Sequence, residues 1–206
     1  MLKELIRHLF PRAVAADTLR ITYTFCLGGL AFTCLLVLAC TGLPLLFYYS
    51  PTPAGAYASI QFLENSVWAG QFIRSLHRVA SHGLLVLLAL HTLRVVLTGA
   101  FAGPRRFNWV VGCLLLLLCV FGAYTGYLLP MDQLAFWATQ TGMELVRALP
   151  MGNFVRDLLV PDSVGGPLSL LRFFALHVAV IPLGIFGLSM LHFFVVRRQK
   201  GLLPYL

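Results

Sequence analysis

The stretch Phe72–Phe101, FIRSLHRVASHGLLVLLALHTLRVVLTGAF, decides the fold. It is apolar for most of its length, long enough to cross a bilayer, and carries His77 and His91, 14 positions apart. A second stretch, residues 170–199, LLRFFALHVAVIPLGIFGLSMLHFFVVRRQ, repeats the pattern with His177 and His192, 15 apart. An ionisable side chain inside a membrane is costly and points to a functional partner. On a helix, 14 or 15 residues climb roughly 21–23 Å. Two such helices side by side place two histidine pairs at two depths. Haem iron with two axial imidazoles fits that arrangement.

Working outward, the 206 residues carry few charges, and their mean hydropathy is +0.87. That composition excludes a single soluble domain. Apolar runs near 21–49, 71–98, 109–129 and 169–196 each exceed the roughly 20 residues needed to span a bilayer core. The expected fold class is an all-α membrane protein: a four-helix transmembrane bundle with an N-terminal surface helix. Residues 1–20 form the surface element, with Leu2, Leu5, Ile6 and Leu9 on one face, and 21–206 form the bundle. Met1–Arg20 is charged rather than apolar, so no signal peptide is expected there.

The net charge of +8 is not a nucleic-acid footprint, because the basic residues sit at span ends. Lys3, Arg7, Arg12 and Arg20 precede the first span, Arg105 and Arg106 lie between the second and third, and Arg197, Arg198 and Lys200 follow the fourth. The positive-inside rule makes that side cytoplasmic, with both termini on it. Glu64, Asp132, Glu144, Asp157 and Asp162 fall on the other side. His77 and His177 then meet near the outer surface, and His91 and His192 near the inner one.

Gly28 and Gly42 in the first span are 14 apart, as are Gly112 and Gly126 in the third. Glycine commonly serves close helix packing. Here it recurs at the histidine spacing, as expected if backbone must leave room for a flat macrocycle at two heights. Cys26, Cys34, Cys40, Cys113 and Cys119 all lie in spans and form no CxxC or CxxCH motif. At least four of them read as small packed residues. His82, five positions from His77, is rotated roughly 140° from it and reads as a packed or hydrogen-bonded residue, not a ligand. His8, in the surface element, is not expected to be a ligand either.

The two histidine stretches, together with TGYLLPMDQLAFWA at residues 125–138 and FCLGG at residues 25–29, resemble the cytochrome b6 branch of the cytochrome b family, from about Ile21 to Gly201. The 15-residue spacing in the fourth span resembles that branch, as does a chain that stops after four spans. The resemblance implies a transmembrane electron-transfer subunit carrying two b haems in a quinol-oxidising complex of cytochrome bc or b6f type, inactive alone. His77 and His177 would hold the outer, low-potential haem, and His91 and His192 the inner, high-potential one. Arg74, Arg78 and Arg94 would meet haem propionates. Cys26 would hold a covalent c-type haem (ci or cn) through one thioether bond, with Arg197 close to it. Implied partners are a subunit supplying the C-terminal half of cytochrome b, a Rieske or multihaem cytochrome protein, quinone or quinol, and membrane lipid, in a dimeric complex of a bacterial inner membrane or its equivalent.

The family's PWDQ is Pro130-Met131-Asp132-Gln133 here, and the run PDSVGGPLS at 161–169 is also altered. Both changes fall where quinol and a Rieske partner approach. Two alternatives follow: a non-bifurcating membrane anchor of a menaquinol-linked reductase or dehydrogenase, and a non-catalytic haem-containing assembly protein. The identities of the quinone and the acceptor, and the haem potentials, are not written in the sequence.

Overall fold

The computed structural model describes residues 26–199. The expected surface helix at 1–20 lies outside the described residues. Among the described residues, four helices are long and apolar enough to cross a membrane: α1 (Leu27–Tyr48), α3 (Gly70–Leu97), α4 (Arg106–Leu128, entered through a short turn from Gly103), and a composite fourth span of α7 (Pro167–Ala175), a wide turn (Leu176–Val180) and α8 (Ile181–Gln199). Their apolar faces point largely outward, with Phe47, Leu97, Leu117 and Leu183 more than 60% exposed. In water such a surface would aggregate; in lipid it is the expected one.

α1 packs along α3, and α4 packs along α8. A central cluster of Ala31, Leu35, Leu84, Cys119, Ile181 and Ile185 joins the two pairs. Its placement follows from spacing. Leu35 lies midway between Gly28 and Gly42, Leu84 between His77 and His91, and Cys119 between Gly112 and Gly126. Seven residues are nearly two helical turns, so these side chains share a face with their flanking glycines or histidines. The core is therefore an apolar plug about 10 Å from each histidine level. Cys119 packs inside it, as expected for a small apolar residue.

The connections are more helical than the sequence suggested. α2 (Gly55–Ser66) links the first two spans, and α5 (Gln133–Arg147) and α6 (Gly152–Leu159) link the third to the fourth. These short helices lack the long apolar run that marks a span. A side-chain cap starts α5: Asp132 accepts from the Ala135 amide at 2.8 Å. Asp162 accepts from the Leu168 amide at 2.9 Å and the Ser169 amide at 3.3 Å at the start of α7. Desolvation works to raise the Asp162 carboxyl, but hydrogen bonds from Ser169 and Leu168 outweigh it and hold it below the ordinary carboxylate range. Tyr49, just beyond α1, stacks on Phe174 and donates to the Leu129 carbonyl at 2.7 Å; burial pushes its phenol up, so it remains a donor.

The fourth span holds a feature that the apolar pattern did not disclose. Leu176–Val180 is a π-type wide turn, closed by the Ile181 amide on the Leu176 carbonyl. Pro182 follows, with no N–H to give to the preceding turn and a ring that displaces its carbonyl. A wide turn absorbs about one extra residue. On straight helices, residues 14 and 15 apart point roughly 100° away from each other. His177 sits in the wide turn and His192 beyond it, so the extra residue is absorbed between them and the 15-residue spacing there matches the 14-residue spacing of α3.

Candidate paired-histidine sites

The tertiary structure brings the four span histidines together as two pairs, as expected. The ring centres of His77 and His177 are 6.3 Å apart with planes at 73°. Those of His91 and His192 are 6.5 Å apart with planes at 78°. Metal–imidazole nitrogen bonds run about 2 Å, and a ring centre lies ~1.1 Å beyond its nitrogen, so two imidazoles on opposite sides of one metal ion have centres ~6.3 Å apart. Both pairs have that separation. Among the described residues, no cluster of three or more histidine, cysteine or acidic side chains is placed to hold a bare ion. A metal between these rings would need its remaining ligands from a cofactor.

Each of the four glycines faces one histidine. A Cβ on Gly42 would lie 3.3 Å from His77 Cε1, and one on Gly28 would lie 3.4 Å from His91 Cε1. On α4, a Cβ on Gly112 would lie 3.4 Å from His192 Cε1, and one on Gly126 only 2.4 Å from His177 Cε1. The room these glycines open is thus filled by imidazole edges. Spacing alone shows where side chains are missing; the fold adds that an imidazole edge stands at each gap.

The Nδ1 atoms of the first pair are anchored. His77 Nδ1 lies 2.8 Å from the Thr41 hydroxyl. His177 Nδ1 lies 3.0 Å from the Gly122 carbonyl and 3.3 Å from the Thr125 hydroxyl. With Nδ1–H donating, Nε2 is left unprotonated and available as a ligand. Neither threonine was singled out from the sequence; the signal was present in the Thr-Gly dipeptides 41–42 and 125–126.

The other expected site residues are placed as follows. Cys26 is exposed and begins α1 in a left-handed conformation (φ 48°), two residues before the glycine that faces His91. Arg74 is ion-paired with Glu64, which ties α3 to α2. Arg78 is exposed one residue after His77, while Arg94 and Arg197 are half-buried. His82 is exposed on α3 and joins neither pair. The two altered motifs prove to be neighbours: Met131 has φ 50°, and its methyl group lies 3.2 Å from where a Gly165 Cβ would stand. A groove of about 500 Å³ opens between the start of α4 and the end of α8, lined by Phe107, Phe194 and Arg198 among others.

The family model described as cytochrome b/b6/petB matches residues 14–200. The chain is 40% identical over 198 residues to a cytochrome b6 of Heliobacterium modesticaldum, covering 96% of this chain and 90% of that one. It is 37% identical over 202 residues to the menaquinol:cytochrome c reductase cytochrome b subunit of Bacillus subtilis, covering 97% and 90%. A chain of a hyperthermophilic respiratory Complex III superposes with a TM-score of 0.80 at 24% identity; the match covers 96% of this chain and 52% of that one, about half its length. A family match over most of the length, four helices among the described residues long and apolar enough to cross a membrane, and two facing histidine pairs agree: the chain belongs to the cytochrome b/b6 family.

Proposed function

We propose that this chain is the transmembrane electron-transfer subunit of a quinol-oxidising complex, with one b haem between His77 and His177 and a second between His91 and His192. The observation that carries this reading is the ring-centre separation of 6.3 and 6.5 Å, the spacing of two imidazoles on one metal ion. When bound, the haems supply one-electron carriers at two depths, with no open position on the iron for oxygen. The chain's residues do the rest. Four histidines ligate, four glycines admit their rings, and the apolar plug around Leu35 and Leu84 keeps water from between the levels.

Sidedness follows from charge. Five arginines and five carboxylates balance at the His77 end, and several are paired directly: Arg74 with Glu64, Arg147 with Glu144, and Arg156 with Asp157. At the other end stand Arg94, Arg105, Arg106, Arg197 and Arg198, with no acidic residue there among the described ones. The positive-inside rule makes that end cytoplasmic, places His91 and His192 at the inner level, and puts both termini inside. Arg74, Arg78 and Arg94, each within three residues of a ligand histidine, are assigned to haem propionates. Pyridine haemochrome analysis of the complex should give two extractable b haems per copy of this chain. A single extractable haem, or a high-spin b spectrum, would contradict the reading.

Cys26 is assigned a covalent haem beside the inner level, supported by its exposure and its place two residues before Gly28. The polypeptide should keep peroxidase-type haem staining after denaturing electrophoresis, and Cys26→Ala should abolish it. An unmodified mass for the wild-type chain would rule this out. Quinol, a subunit supplying the second half of cytochrome b, and an electron-accepting partner complete the complex.

A second reading keeps the haems but not the bifurcation of electrons: a membrane anchor for a menaquinol-linked reductase or dehydrogenase. The contact between Met131 and Gly165 favours it, because it joins both departures from the family pattern in one place at the outer surface. A Rieske protein encoded beside this chain would support the first reading, and multihaem cytochromes without one the second.

A further inference from the structure

Thr41 and Thr125 are buried hydroxyls in the membrane, and each immediately precedes a glycine that faces an outer histidine. A threonine in a helix commonly donates back to the carbonyl one turn earlier. Thr33 does so toward Gly29 and touches no histidine. Thr41 does so toward Val37 at 2.7 Å, which spends its one proton and leaves oxygen lone pairs toward His77 Nδ1 at 2.8 Å. Thr125 donates to the Gly122 carbonyl at 3.0 Å and meets His177 Nδ1 at 3.3 Å. At the inner level the same positions, before Gly28 and Gly112, hold Leu27 and Val111, which offer no hydroxyl. His192 Nδ1 meets no hydroxyl; its polar neighbour is the Asn108 backbone, at a geometry short of a full hydrogen bond.

We infer that Thr41 and Thr125 are positioning residues that lower the potential of the outer haem relative to the inner one by accepting the Nδ1–H of its two ligand histidines. This rests on the ligation proposed above. An imidazole that donates from Nδ1 carries more electron density at Nε2 and is the more basic ligand. The oxidised iron, one charge more positive, gains more from that density than the reduced iron, so the couple moves down. Thr41 has the greater effect, because its contact is shorter and His177 shares its proton with the Gly122 carbonyl. The asymmetry biases the two levels in the direction that moves an electron inward against the membrane potential.

The test is a redox titration of the whole complex in membranes, resolving the two b couples by low-temperature spectra. Thr41→Val should raise the ratio of reduced to oxidised outer haem at fixed ambient potential about tenfold, an upward shift of ~59 mV for a one-electron couple. Thr125→Val should shift it less, Thr41→Ser should restore the wild-type value, and the inner couple should stay in place throughout. Val111→Thr, which adds a hydroxyl beside His192, should lower the inner couple. An unmoved outer couple in Thr41→Val, an equal shift of both couples, or a shift in Thr41→Ser as large as in Thr41→Val would overturn the inference. Should Thr41→Val lose the outer haem, Val111→Thr decides, and an unmoved inner couple overturns it. Absence of two b haems from the wild-type complex would overturn the ligation reading itself; two haems with unmoved couples would overturn only the role of the threonines.

Discussion

His192→Leu is expected to remove the inner haem while the outer one stays, halving the extractable b haem and reducing quinone-linked electron transfer to background. The two sites are separable because the plug of Leu35, Leu84, Cys119 and Ile185 lies between them, and no ligand is shared. Leucine fills the space of the imidazole with apolar atoms, so the helix pair α4 and α8 retains its contact while the nitrogen that would hold the inner haem is removed. Haem extraction followed by low-temperature spectra would show one b band lost and one kept. Retention of both bands would mean that His192 is not a ligand. Loss of both would mean that the levels are coupled through folding.

Gly126→Ala is expected to damage the outer site far more than the same change at the other three glycines. A Cβ at Gly126 would lie 2.4 Å from His177 Cε1, and 3.0 Å from both ring nitrogens. The ring cannot retreat freely, since Nδ1 is held by the Gly122 carbonyl and the Thr125 hydroxyl, and Nε2 is assigned to iron. Overpacking at such a position costs about 1–3 kcal/mol, a loss of roughly 5- to 150-fold in the binding constant for the outer haem. At Gly28, Gly42 and Gly112 the added Cβ would meet its histidine at 3.3–3.4 Å, which a shift of a few tenths of an ångström relieves. Haem content of the four alanine variants, measured on purified complex, should therefore rank Gly126→Ala lowest with the other three near wild type. Equal loss across the four would show that the glycines make room for something common to all sites rather than for individual rings.

These two experiments separate information that came from different sources. Four long apolar helices, the two histidine pairs and the glycine spacing were readable along the chain, because each depends on a one-dimensional pattern. A run of about 20 apolar residues must be helical in lipid, where every backbone polar group needs an internal partner. Repeats of 14 residues return to nearly the same face of a helix. The basic residues at one set of span ends follow the same logic, since orientation is biased by local charge near the membrane.

What passes between helices was decided only by the tertiary structure. The order of spans allows Gly28 and Gly42 to face either a neighbouring backbone or a side chain; packing of α1 along α3 put His91 and His77 there. The wide turn at Leu176–Val180 could not be read as an apolar pattern, yet it reconciles spacings of 15 and 14 and aligns both rings on the fourth span with those on α3. Met131 and the run around Gly165 are separated by more than 30 residues and looked like two departures from the family pattern; the fold makes them one contact. Thr41 and Thr125 read as ordinary membrane-helix threonines until the partner helices brought His77 and His177 within reach of their hydroxyls. The physical reason is the same in each case. Hydropathy and helical period act within one segment and are written locally, whereas a hydrogen bond or a filled gap needs two segments and exists only once they have packed.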